Sequence, residues 1–288
     1  MKIKTTASIP ILLTLSFIVL YALTNVFKEY SGYIWAFLLQ IFAYVIPLIA
    51  YFVIFKKKNI KYLSPGKFKP SHIKILSSSL LLITSCGALY MSVLHALDIG
   101  KAGYTVFPKD NVILTVLILV LLPALLEEIM FRGFVLREYE KYGVLPAVLF
   151  SSVCFAMFHF SFAEFPYYFV AGIIISVVAC ITGSIAEAFA LHLMHNLIML
   201  FVGEYLYNLL YNFENTEFII VLLLIVTLLA LFWLLSVLDV YYKKLSRTDH
   251  KINEKKQRLM PSVFAEIFLS PYFLVLVIIF AAVAFDVV

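Results

Sequence analysis

Charged residues are scarce in this 288-residue chain. Asp, Glu, Lys and Arg make up 14% of it, against 64% apolar residues. A water-soluble domain is about a quarter charged and about half apolar, because its surface must face water. The shortage therefore excludes a soluble globular fold, and lipid is the only solvent that can take the apolar surplus. Cysteine is sparse as well. Cys86, Cys154 and Cys180 all fall in apolar stretches and form no CxxC pair. That excludes a disulfide framework or a cysteine metal centre and leaves them as packing residues. There is no HExxH, so a standard zincin site is absent. We find no internal repeat, no low-complexity tract and no loop long enough to recognise a large folded partner.

What is present is a series of long apolar runs, at 9–27, 33–55, 75–97, 111–137, 143–161, 165–182, 184–202, 217–242 and 263–286. A spanning helix needs about 20 mostly apolar residues. The pattern predicts an all-α fold: a polytopic transmembrane bundle of eight or nine helices. The first run lacks a small-residue cleavage site before Lys28, so it reads as a retained helix and not a signal peptide.

The connecting segments carry the net charge of +5. Lys56, Lys57, Lys58, Lys61, Lys67, Lys69 and Lys74 precede the third run. Lys243, Lys244, Arg247, Lys251, Lys255, Lys256 and Arg258 precede the ninth. Clustering beside membrane spans reads as topology and not as a nucleic-acid surface. Both segments are expected in the cytoplasm, with six crossings between them. The link with Arg137 and Lys141 is also expected inside, the loop with Glu204, Glu214 and Glu217 outside, and the N-terminus inside.

Ionisable residues inside the apolar runs concentrate between about 111 and 202: Glu127, Glu128, Arg132, His159, Glu187, His192 and His195. Each charge at a bilayer centre costs roughly 2.5–3.5 kcal/mol on insertion scales, so such residues face one another or a cavity. The chain divides accordingly into N-terminal helices (1–110), a chemical core (111–202) and C-terminal helices with a basic loop (203–288).

Three constellations stand out. In Glu127-Glu128-Ile129-Met130-Phe131-Arg132, the i,i+4 spacing puts Glu128 and Arg132 on one helix face, while Glu127 points about 100° away. In Phe155-Ala156-Met157-Phe158-His159, Phe155 and His159 share a face. In His192-Leu193-Met194-His195-Asn196, His192 and Asn196 do, after a Thr182-Gly183-Ser184 turn in which Ser184 is an N-cap candidate. Each has a bland reading: interfacial charges, a packing histidine, polar glue between helices. Together they supply what peptide hydrolysis needs. A glutamate can act as general base, imidazoles can orient water or ligate a metal, and a carboxamide can serve an oxyanion.

The ordered set Glu-Glu-x-x-x-Arg, Phe-x-x-x-His and His-x-x-x-Asn after a Thr-Gly-Ser turn resembles the CAAX protease and bacteriocin-processing (Abi) family of intramembrane proteases. The resemblance implies Glu127 as the water-activating base, supported by Glu128 and Arg132. It implies His159 and His192 as residues that position that water or bind a divalent metal such as zinc, and Asn196 as the oxyanion donor. His195 is not a family position. The implied substrates are peptides or lipidated proteins, met within membrane lipid. The Lys-, Ile- and Phe-rich usage resembles a low-GC bacterial protein, hence a bacterial plasma membrane. Two other functions are carried beside it: a proton-coupled transporter, and an inactive family member acting as an immunity or scaffold protein. Straight helices would leave His192 only about 12 Å from the cytoplasmic face, and Glu127 and His159 roughly 20–24 Å from it. Convergence therefore requires the 182–184 turn to lie inside the protein.

Overall fold

A computed structural model describes residues 5–26, 32–55, 65–99, 110–213, 215–248 and 260–286. Lys28, Lys56, Lys57, Lys58, Lys61, Glu214, Lys251, Lys255, Lys256 and Arg258 lie outside the described residues, so the expectations that rest on them do too.

The regular elements among the described residues are all helical. The first, α1, is Thr5–Val26. The second, α2, runs from Tyr33–Gln40 through a π-helical turn, Ile41–Val45, into Ile46–Phe55. Helix α3 is Ile73–Ala96, and α4 runs from Val112 to Tyr139 with two π-helical stretches, Thr115–Leu121 and Glu128–Leu136. Then come α5 (Val144–Met157), α6 (Phe165–Thr182), α7 (Ile185–Phe201) and α8 (Gly203–Tyr211). Helices α9 (Thr216–Thr248), α10 (Met260–Phe268) and α11 (Pro271–Asp286) follow.

Among the described residues, six helices are long and apolar enough to cross a bilayer, and two bent pairs bring the total to as many as eight. The pairs are α7 with α8, bent by 61°, and α10 with α11, bent by 59°. The protein is thus a polytopic helical bundle and an integral membrane protein. The nine expected spans need one correction. The run at 143–161 forms only the 14-residue α5, about 21 Å at 1.5 Å per residue and short of a hydrocarbon core of about 30 Å. The helix stops because the chain turns at Phe158, and Phe160 takes a left-handed φ of 55°. His159 therefore sits just beyond a helix end, not within a helix.

Both proline-linked π turns have a local cause. Pro47 and Pro123 lack the N–H that would bond four residues back, and the carbonyls so released, of Ala43 and Leu119, lie in the π turns Ile41–Val45 and Thr115–Leu121. Between helices, close packing replaces the hydrophobic effect, which lipid does not supply. Gly172 of α6 lies so close to α5 that a Cβ there would come 3.0 Å from Ser152 Cα. Phe131 of α4 meets Phe155 and Phe158 edge-on at 5.5 and 5.2 Å, while the Ser151 hydroxyl donates to Phe131 O at 2.9 Å.

The segment Pro65–His72 is strapped across the start of α7. Gly183 takes a left-handed φ of 65°, and Ser184, 1% exposed, caps α7 by accepting from Glu187 N at 3.2 Å, as its position predicts. The Ser184 hydroxyl and Ala186 N both donate to Pro65 O, at 3.0 and 2.8 Å. Gly66, at φ 75°, lies so near that a Cβ would come 2.7 Å from Ser184. Fully buried Glu187 accepts from Lys69 N at 2.9 Å and pairs with His72 Nδ1 at 2.8 Å. Tyr241 of α9 donates to Ser71 O and sets its ring against His72. Of the turn, Ser184 is buried beneath this strap, whereas Thr182 is half-buried and Gly183 is exposed, so only its Ser184 end lies inside the protein. Replacing Glu187 by alanine leaves a buried N–H and an imidazole without their acceptor. We expect a loss of about 1–3 kcal/mol, read as a lowered unfolding midpoint in detergent.

Candidate active site

Helix α4 delivers the two carboxylates in different directions. Glu127 ends a short α-helical turn, Leu122–Glu127, and Glu128 opens the π stretch Glu128–Leu136. Glu128 and Arg132 are both fully buried and meet at 2.8 Å, forming the expected i,i+4 pair on a π-helical and not an α-helical backbone. A buried charge needs further partners to offset desolvation. The Arg132 guanidinium also donates to Gly172 O at 3.2 Å and lies 4.5 Å over the Phe155 ring. The neighbouring charges Arg137 and Glu140 pair with each other at 2.6 Å at the end of α4 and do not join this group.

Helix α7 supplies His192, 7% exposed, whose Nδ1 lies 2.8 Å from Glu128 Oε1. A carboxylate only accepts, so in the neutral ring the proton is on Nδ1 and Nε2 keeps a lone pair. That Nε2 is 3.9 Å from Glu127 Oε2. The gap is too long for a hydrogen bond and short enough for one water to bridge. His159 is fixed the same way. Its Nδ1 donates to Phe155 O at 3.1 Å, capping the end of α5, and its ring stacks on Tyr168 with centroids 3.4 Å apart. Its Nε2 is likewise left as an acceptor. Phe155 edges both imidazoles, at 5.0 and 5.8 Å.

Glu127, His159, His192 and Asn196 line one cavity of about 240 Å³. The lining also includes the apolar side chains of Ile83, Met91, Met199, Leu206 and Leu210 from α3, α7 and α8. Four residues from three helical segments thus converge on a single space, although they are spread over 70 positions of sequence. His195, outside the motif, also lines the cavity and meets the Tyr167 hydroxyl at 2.8 Å through Nε2. The sequence reading did not find Tyr167, Tyr168 or His72, the partner of Glu187. Aromatic residues are too common in this chain to mark a position, and His72 follows a basic loop that shares no pattern with α7.

Two imidazole lone pairs and a carboxylate are donor types that zinc uses, and a catalytic zinc takes three protein ligands. Among the described residues, no group of three or more His, Cys, Asp or Glu side chains is arranged to hold a metal ion. His159 and His192, the two residues considered as ligands, do not make such a site by themselves.

The sequence model of one family, described as Rce1-like, type II CAAX prenyl endopeptidase Rce1-like, matches residues 109–198. Those are the residues that carry all three constellations. No curated protein and no solved structure matches the chain.

Proposed function

Since the chain carries, over residues 109–198, a core of the CAAX protease family, we propose that it is an intramembrane endopeptidase in which Glu127 activates water. The observation that carries this reading is the 3.9 Å gap between Glu127 Oε2 and His192 Nε2 at the wall of the cavity. A water held there gives one hydrogen to the Glu127 carboxylate and the other to the Nε2 lone pair of His192, while His159 lines the same cavity. Glu127 takes the proton as the water oxygen adds to the peptide carbonyl carbon. The carbonyl oxygen becomes an oxyanion, to which the Asn196 amide donates. The intermediate then collapses, the C–N bond breaks, and the proton on Glu127 passes to the leaving amine. Glu128 and Arg132 act one step removed, because Glu128 fixes the tautomer and plane of His192.

The apolar wall suits a peptide bearing an apolar or lipid-modified residue next to the scissile bond. We place the basic segments and the N-terminus on the cytoplasmic side of a bacterial plasma membrane by the positive-inside rule. Six apolar segments lie between the basic segments when α5 is counted and α7 with α8 is taken as one.

The test is cleavage of a quenched-peptide panel, lipidated and unmodified, by the purified protein. Activity should vanish in Glu127→Gln, His159→Ala and His192→Ala and persist in a chelator. Activity that survives in all three variants sinks the site; loss in chelator with rescue by zinc sinks the metal-free route. A substrate-dependent proton current in proteoliposomes, without cleavage, would establish transport instead. Asn196→Ala should lower kcat by roughly 10²- to 10³-fold, the usual cost of an oxyanion donor, with little change in KM.

A further inference from the structure

The cavity is built from one end of the helical bundle. Its lining residues fall at 83–95 on α3, 164–175 at the start of α6, 192–199 on α7 and 203–210 on α8. Helix α3 begins at Ile73, so the lining starts about 15 Å along it at 1.5 Å per residue. Helix α6 runs the other way and ends at Thr182, and about its last two turns take no part in the lining. Exposure follows the same direction. At one end of the lining, Ile83, Ile175 and Phe155 are 1%, 2% and 2% exposed. At the other, His95 is exposed, and Glu164, Tyr207 and Leu210 are half-buried.

The closed end is the one that carries the basic segments. There the strap Pro65–His72 bonds the start of α7, and Tyr241 near the end of α9 donates to Ser71 O. Arg137, at the end of α4, donates to Ala179 O near the end of α6 at 3.4 Å. These contacts gather Lys67, Lys69, Arg137 and Lys243 at one end of the bundle. At the opposite end Tyr33, which starts α2, donates to Asp110 before α4 at 2.8 Å, and Tyr90 donates to Ala163 O before α6. By the positive-inside rule the closed end is cytoplasmic and the open end extracytoplasmic.

We infer that the cavity takes its substrate from the extracytoplasmic side, so that the substrate is a peptide displayed at the outer leaflet and not a cytoplasmic chain end. The inference rests on the hydrolase reading for the fate of that peptide, and adds the side from which it comes. A route from the cytoplasm would have to open the strap, where Glu187 and His72 are 0% and 7% exposed, or part the fully buried Glu128–Arg132 pair. Either leaves buried polar groups without partners. A route from the other end passes the exposed and half-buried side chains of His95, Glu164, Tyr207 and Leu210.

Right-side-out and inverted vesicles from cells making the full chain present opposite membrane faces to a peptide whose charged ends keep it from crossing. We expect the quenched peptide that the purified protein cleaves best to be cleaved roughly tenfold faster or more by the right-side-out vesicles, with Glu127→Gln vesicles as background. Detergent should bring the two preparations level. A membrane-impermeant maleimide reads the same opening without activity. It should modify Leu210→Cys in right-side-out vesicles and Lys67→Cys in inverted ones, each above the wild-type chain with its Cys86, Cys154 and Cys180. Cleavage that is equal in the two intact preparations or faster in the inverted one, or labelling of Leu210→Cys in inverted vesicles alone, overturns the inference and leaves the hydrolase reading standing. If the purified protein cleaves no peptide, the hydrolase reading falls, and labelling of Leu210→Cys still decides which side the cavity faces.

Discussion

Glu127→Gln is expected to lower kcat for peptide hydrolysis by roughly 10²- to 10⁴-fold, the usual range for loss of a general base. Glutamine has the same shape as glutamate, so the cavity wall is preserved. Its amide cannot take a proton from water. On the proposed reading substrate binds along the apolar part of the cavity lining, so KM should change little, the pattern of an interaction made only in the transition state. Steady-state kinetics on the best peptide of the panel measure both constants. A variant within a few-fold of wild type would remove Glu127 from the reaction.

Arg132→Met should cost about 3–5 kcal/mol of stability, the usual penalty for leaving one member of a buried ion pair alone. The geometry explains why the effect is large. Arg132 and His192 both bond Glu128 Oε1, and Glu128 Oε2, itself buried, has no hydrogen-bond partner. Without the guanidinium, a fully buried carboxylate keeps only an imidazole. The double variant Glu128→Leu with Arg132→Met removes both charges and should recover most of the stability, because an apolar replacement of a buried pair is often neutral. It should not recover activity, since His192 Nδ1 then lacks the acceptor that sets its tautomer. Unfolding in detergent and peptide cleavage separate the two effects. A single variant less than about 1 kcal/mol below wild type would show that the pair does not hold the site together.

Much of the architecture was legible before any coordinates. Long apolar runs separated by polar segments predict spanning helices, because lipid forces backbone groups to bond within the segment. The Glu128–Arg132 pair followed from i,i+4 spacing, and the Ser184 cap from its place before α7. The shortness of α5 was not legible. Phe158 and Phe160 continue the apolar run, and composition carries no sign that Phe160 turns left-handed. The strap from Pro65 to His72 was equally hidden, since Glu187 and His72 are 115 positions apart.

The sequence by itself determined the solvent, the helical class and the chemical identity of the polar groups, because each follows from local composition and from spacing within one helix. Only the tertiary structure decided which of those groups share a cavity, which imidazole nitrogen keeps a lone pair, and that His72 reaches Glu187. Those are relations between helices. They depend on where each helix stops, bends or widens, and a few residues such as Pro47, Phe160 and Gly183 fix them at positions that hydrophobic periodicity cannot read.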